Sequence, residues 1–377
     1  MSIPPAPFPS LTIRADALRP QGAFAAAQAA FLHPDEETIA RLRALLSSRK
    51  AGVVAHFYMD PELQGALNAV GSEHVQISDS LLMADAAIRM SQAGVERIVV
   101  LGVDFMSENV RAMLDASGGQ QVPVYRVAAE PIGCSLAESA EALAYGAYLT
   151  KAAQVPRSLH VIYINTSLQV KARAQQLVPT ITCTSSNVVK TVLQAAAQVP
   201  GLSLWFGPDT YMGENLTQLF GRLSEMDDSA IKAFHPAHDQ QSVRSLLTRF
   251  HYFRQGNCVV HHMFGEQVVR LVEQHYADVF VTAHLEVPGE MFAIALRRQH
   301  EGRGVVGSTS NILNFIAEKV SQQAAAGGRG RLRFILGTEA GMITSIVRKV
   351  QHILKQHGSS VEAEIIFPVA SEAVAQT

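Results

Sequence analysis

The sequence predicts an α/β protein whose largely parallel sheets are covered by helices. Two features carry that prediction. Short runs of β-branched residues recur at a spacing of roughly two dozen residues, with Ala- and Leu-rich segments of helical period between them. The runs are continuously apolar, the pattern of strands buried on both faces.

In chain order, Asp35 to Lys50 carries Ile39, Leu42, Leu45 and Leu46 at the spacing of an amphipathic helix. Strands are expected at Val53–Ala55, Val75–Ile77, Ile98–Val103, Val122–Val127, His160–Ile164, Thr180–Cys183, Leu202–Phe206, Val259–Val260, Val279–Thr282, Val305–Val306, Phe334–Leu336 and Ile365–Phe367. A dozen strands exceed one ordinary sheet. The chain therefore divides into a mobile leader (1–34), a first α/β domain (35–129), a second (130–226), and a polar insertion with a third α/β domain and C-terminal tail (227–377). A barrel is the alternative architecture.

Composition narrows the function. Lys and Arg number 31 against 33 acidic residues, a balance that offers no general attraction to nucleic acid or anionic membrane. No apolar run is long enough to span a bilayer, and the Pro-rich start resembles no secretory signal, so a cytosolic (cytoplasmic) location is expected. Three cysteines in 377 residues are too few for a disulfide framework and suggest reduced thiols.

Hydrogen-bonding residues follow nearly every apolar run, where ligands bind in parallel α/β folds. The sets include His56 and Tyr58, Asp79 and Ser80, Tyr163 and Asn165, Ser185, His261, His284 and Glu286, Thr309, and Thr338 with Glu339. Each Ser or Asp alone reads as a helix cap, whereas His and Tyr at so many strand ends point to a shared polar site. Each cysteine alone reads as a core thiol, and no CxxC pair supports a closed zinc site.

Ten of these segments in order, from Ala55-His56-Phe57-Tyr58 through Gly102-Val103-Asp104-Phe105-Met106-Ser107-Glu108, Tyr163-Ile164-Asn165-Thr166-Ser167 and Cys258-Val259-Val260-His261 to Gly337-Thr338-Glu339-Ala340-Gly341-Met342, resemble the quinolinate synthase family. The likeness runs from about Gly52 to Ala370, and the insertion at Ser224–Gly256 resembles that of its plant-type branch. It implies three Rossmann-like domains around a pseudo-threefold axis. It also implies a [4Fe–4S] cluster with Cys134 and Cys258 as metal ligands; the family's third cysteine falls just after the position of Phe367–Ala370, where this sequence has none. The implied reaction condenses iminoaspartate with dihydroxyacetone phosphate to quinolinate in NAD biosynthesis, with a functional link to an aspartate-oxidising enzyme. By the resemblance His56, Ser80, Tyr163, Asn165, Ser185, His284, Glu286 and Thr309 contact substrate. Among the catalytic candidates the chemistry favours Tyr58 and Glu286 for proton transfer, with His261 or His284 as the partner of Glu286 or a carboxylate clamp. A metal-dependent aldolase or lyase using His56, His261, His284 and Glu286, and a truncated non-catalytic relative, are the competing readings.

Overall fold

The structure is a computed structural model describing residues 8–369. Fourteen strands among these residues form three sheets, mostly parallel and flanked by helices, as expected for the α/β class. In chain order they are β1 (Ser10–Ile13), β2 (Leu18–Gln21), β3 (Ala51–His56), β4 (Val75–Ser78), β5 (Arg97–Leu101), β6 (Val124–Arg126), β7 (Ser158–Tyr163), β8 (Thr180–Cys183), β9 (Ser203–Gly207), β10 (Phe250–Tyr252), β11 (Phe280–His284), β12 (Gly304–Gly307), β13 (Arg331–Ile335) and β14 (Glu362–Ile366).

The chain separates into two compact units. Among the described residues, the first holds 8–102, 113–127 and 260–369 and contains two of the sheets. One is all parallel in the order β4-β3-β5-β6; the other runs β12-β11-β13-β14-β1-β2, with β1 and β2 antiparallel to their neighbours. The core of the larger sheet gathers Leu11, Ile13, Ile316, Phe334, Ile346, Val350 and Ile365, each fully buried, and reaches Phe57 at the end of β3. Each such side chain contributes about 1.5–3 kcal/mol of burial.

The second unit, residues 103–112 and 128–259, is built on the parallel sheet β10-β9-β7-β8. Tyr145, Leu149, Ile162, Val170 and Trp205 form its core. His160 is buried there, with Nε2 2.8 Å from the Tyr145 hydroxyl.

Four expectations are corrected. Residues 10–34 are not a loose leader: β1 pairs with β14, and all four of its residues are buried; residues 1–7 lie outside the described part. The segment expected as an insertion before the third domain belongs to the second sheet, because β10 pairs with β9 from Phe250↔Leu204 to Tyr252↔Phe206, so the boundary near Met226 falls too early. Val259–Val260 is a turn, since two β-branched residues with Val259 68% exposed have no sheet to join. The helix Glu36–Ser48, capped by Asp35, buries Ile39 and Leu46 but leaves Leu45 exposed.

Candidate active site

In the first unit, β3 and β11 each end on a histidine held by the same local device. Tyr58 N–H donates to His56 Nδ1 at 3.2 Å, and Glu286 N–H donates to His284 Nδ1 at 3.3 Å. A nitrogen that accepts carries no proton, so each neutral ring keeps its proton on Nε2. Burial holds His56 down to about 4, with Glu286 opposing, and His284 down to about 3, again by burial first and with Glu286 opposing. Both are therefore neutral N–H donors near pH 7. His284 Nε2 is buried and has no hydrogen-bond partner among the described residues.

The turn after β3 places the Tyr58 ring 4.4 Å from His56, 6.0 Å from His261 and 6.4 Å from His284, centroid to centroid. His261 and His284 stack at 4.8 Å and 14°. His261 lies on the short helix His261–Met263 rather than at a strand end. Its Nδ1 is 3.2 Å from Glu286 Oε2, while Glu286 Oε1 is 3.8 Å from His284 Nδ1. His56, Tyr58, His261, His284 and Glu286 thus form one group, with the three imidazoles and the carboxylate buried.

Gln64, absent from the sequence-derived candidates, braces this group: its Nε2 donates to Phe57 O at 2.9 Å and Met59 O at 2.6 Å. Gly341 permits the same close approach, because a Cβ there would lie 2.3 Å from Phe57 O. Glu339 is among the polar residues that follow strands in the sequence, with no individual role implied there. Its place in a Gly-Thr-Glu segment just beyond a strand was the available signal.

Ser80 and Thr309 open the helices Ser80–Gln92 and Thr309–Ala325. Asp79 caps the first through the Leu81 and Leu82 amides, and Ser310 Oγ approaches its Oδ2 at 3.4 Å. Two helix N-termini are thereby held close together, each favouring an anion.

In the second unit, Tyr163 ends β7, Asn165 follows it, and Ser185 lies in the turn after the adjacent β8. Ile164 N–H donates to Cys183 O at 2.8 Å, joining the two loops. Lys171 Nζ donates to Ile164 O at 3.0 Å and also to Thr166 O, bracketing Asn165. Burial pushes the Lys171 ammonium down to about 8, with Glu108 opposing.

The flanks of Cys134 and Cys258 meet in this unit. Ser135 Oγ donates to Asn257 O at 2.9 Å and accepts from Val259 N–H at 3.4 Å, gripping both neighbours of Cys258. Both thiols are partly exposed and outside any disulfide. Cys183 is 1% exposed at the end of β8, where burial pushes its thiol far up, against use as a thiolate.

The family model for Quinolinate synthetase A protein (NadA) matches residues 39–362. The chain belongs to this family. It is 55% identical to the chloroplastic quinolinate synthase of Nicotiana tabacum, over 98% of this chain and 52% of that protein. The corresponding proteins of Oryza sativa subsp. japonica and Arabidopsis thaliana are 53% and 52% identical, over 98% of this chain and 53% and 52% of theirs. The chain thus spans about half the length of these family members. Their chloroplastic names overturn the cytosolic location expected above: composition reports charge and hydropathy but carries no address. No helix among the described residues is long and apolar enough to cross a membrane.

Proposed function

We propose that this chain carries out quinolinate synthesis, condensing iminoaspartate with dihydroxyacetone phosphate and releasing phosphate and two waters. The observation that carries the reading is family membership over residues 39–362, a span that includes the buried imidazole–carboxylate group. The substrates bear two carboxylates and a phosphate, and the chain supplies matching donors. Ser80 and Thr309 add hydroxyls at two helix N-termini for phosphate or carboxylate. Asn165, Tyr163 and Ser185 offer further polar contacts, and the Nε2–H groups of His56 and His284 donate to substrate oxygens.

Ring formation requires proton removal next to a carbonyl and proton delivery to departing hydroxyls. Glu286 is the base: a proton taken by its carboxylate has His261 Nδ1 3.2 Å from Oε2 as a neighbour. Tyr58, with its ring against all three imidazoles, exchanges the second proton. Partly exposed thiols on two segments that Ser135 joins through their main chains suit a soft-metal site, so Cys134 and Cys258 would hold two irons of a [4Fe–4S] cluster. When bound, that cluster supplies a Lewis-acidic iron for C–O cleavage. Iminoaspartate must come from a reaction that oxidises aspartate, which implies a functional link to such an enzyme.

The test is quinolinate formation by the full chain after anaerobic reconstitution with iron and sulfide. Glu286→Gln should retain the cluster's absorption yet lower turnover at least about 100-fold, the scale of general acid–base catalysis. Near-normal turnover would remove Glu286 from the mechanism, and absence of quinolinate with an intact cluster would refute the synthase reading.

A further inference from the structure

Glu339 lies just beyond β13, immediately before the short helix Ala340–Met342. Both of its carboxylate oxygens are buried, and neither makes a hydrogen bond with a described residue. Oε2 comes within 3.2 Å of His261 Nε2 without hydrogen-bond geometry, and the same nitrogen has Thr338 Oγ1 at 3.5 Å. On the far side of the ring, Glu286 Oε2 is 3.2 Å from Nδ1. One imidazole is therefore flanked by two carboxylates.

Burying a carboxylate without hydrogen bonds is expensive, and folds keep such groups where a ligand offsets the cost. Two neighbouring carboxylates repel a third and attract a proton-bearing, cation-capable group. His284 Nε2–H supplies the complementary donor, buried and also without a protein partner.

We infer that Glu339 is a further substrate-binding residue, accepting a hydrogen bond from the nitrogen of the amino- or imino-dicarboxylate substrate. This inference rests on the synthase reading for the identity of that substrate. His284 then serves a substrate oxygen, and the pair orients the dicarboxylate by matching an acceptor to its nitrogen and a donor to its oxygen. Glu339 thereby selects nitrogen-bearing dicarboxylates over those that lack nitrogen.

The test compares wild type with Glu339→Gln and Glu339→Leu in the full reconstituted chain, using L-aspartate and succinate as calorimetric probes. Wild type should bind aspartate about tenfold more tightly than succinate, as one charged hydrogen bond allows. Both substitutions should bring that ratio close to one and lower kcat/KM for quinolinate formation at least about tenfold. The thermal midpoint of Glu339→Leu should hold or rise, because an unsatisfied buried charge has been removed. An unchanged aspartate preference in the variants, or its absence in wild type, would overturn the inference. So would a lowered midpoint with equal weakening of both ligands, the mark of a structural carboxylate. Absence of quinolinate formation by wild type would refute the synthase reading alone, since the aspartate–succinate contrast still judges Glu339.

Discussion

Replacing Gln64 with leucine should loosen the Tyr58 turn by an amount the geometry sets. Gln64 is fully buried, and its amide nitrogen donates to two main-chain carbonyls, Phe57 O at 2.9 Å and Met59 O at 2.6 Å. Leucine nearly preserves the volume, so the cavity penalty is small and the loss is that of two acceptors left behind. A buried orphaned acceptor costs about 1–3 kcal/mol. Phe57 O takes the full amount, whereas Met59, only partly buried, regains some solvent. Against this, Gln64 Oε1 is itself buried without a partner, so its removal returns about 1 kcal/mol. The net expectation is a loss of about 1–3 kcal/mol, read from the urea midpoint at unchanged slope. Amide exchange at Tyr58 and Met59 should accelerate by a similar factor if the opening is local. A loss below about 0.5 kcal/mol, the scale of an unremarkable surface change, would refute the claim that Gln64 holds this turn.

Gly341→Ala should be worse for activity than for folding: its Cβ would stand 2.3 Å from Phe57 O, so the Tyr58 turn must shift. Turnover should fall at least about tenfold, since small misplacements of catalytic groups are costly; wild-type kinetics would show that the turn accommodates the methyl. Cys134→Ala or Cys258→Ala should abolish retention of the iron–sulfur chromophore while Cys183→Ala preserves it, and equal loss in all three would sink the ligand assignment. Acid should destabilise the fold through its buried imidazoles. His56, His160 and His284 are held by burial at about 4, 3 and 3, so below the ordinary histidine value of about 6.5 the unfolded chain binds protons that the folded chain refuses. Stability is fully present above about pH 6.5 and declines toward pH 3–4. His160→Gln should flatten that decline in denaturant titrations at stepped pH, and an unchanged slope would contradict neutral burial of His160.

The sheets were legible wherever a strand was apolar and its partners lay nearby in sequence. Thr180–Cys183 was found with its observed bounds, and β3, β4, β7 and β11 within a few residues. The missed strands share a different cause. β1 is four residues joined to β14 some 350 positions away and to the short, polar β2, and β10 is three residues that include His251 and Tyr252, so neither sends a clear local signal. At the site, residue types after strands identified His56, Tyr58, His284 and Glu286, because a strand end fixes where a side chain emerges. The role of Gln64 was not legible, since a glutamine within a helix looks solvent-facing until the carbonyls it serves are placed.

The union of β1 with β14 has a consequence for synthesis. At about 5–20 residues per second, tens of seconds separate the emergence of the two strands from the ribosome. During that interval Ser10–Ile13 would be a naked sheet edge, open to pairing with another chain. Its hairpin neighbour limits the hazard: β2 pairs with it from Ser10↔Gln21 to Ile13↔Leu18, so one side can close as soon as Gln21 has appeared. The outer border of that hairpin carries Arg19 and Pro20, an unwelcoming surface for further strands. The nascent chain thus holds its other border in reserve for β14.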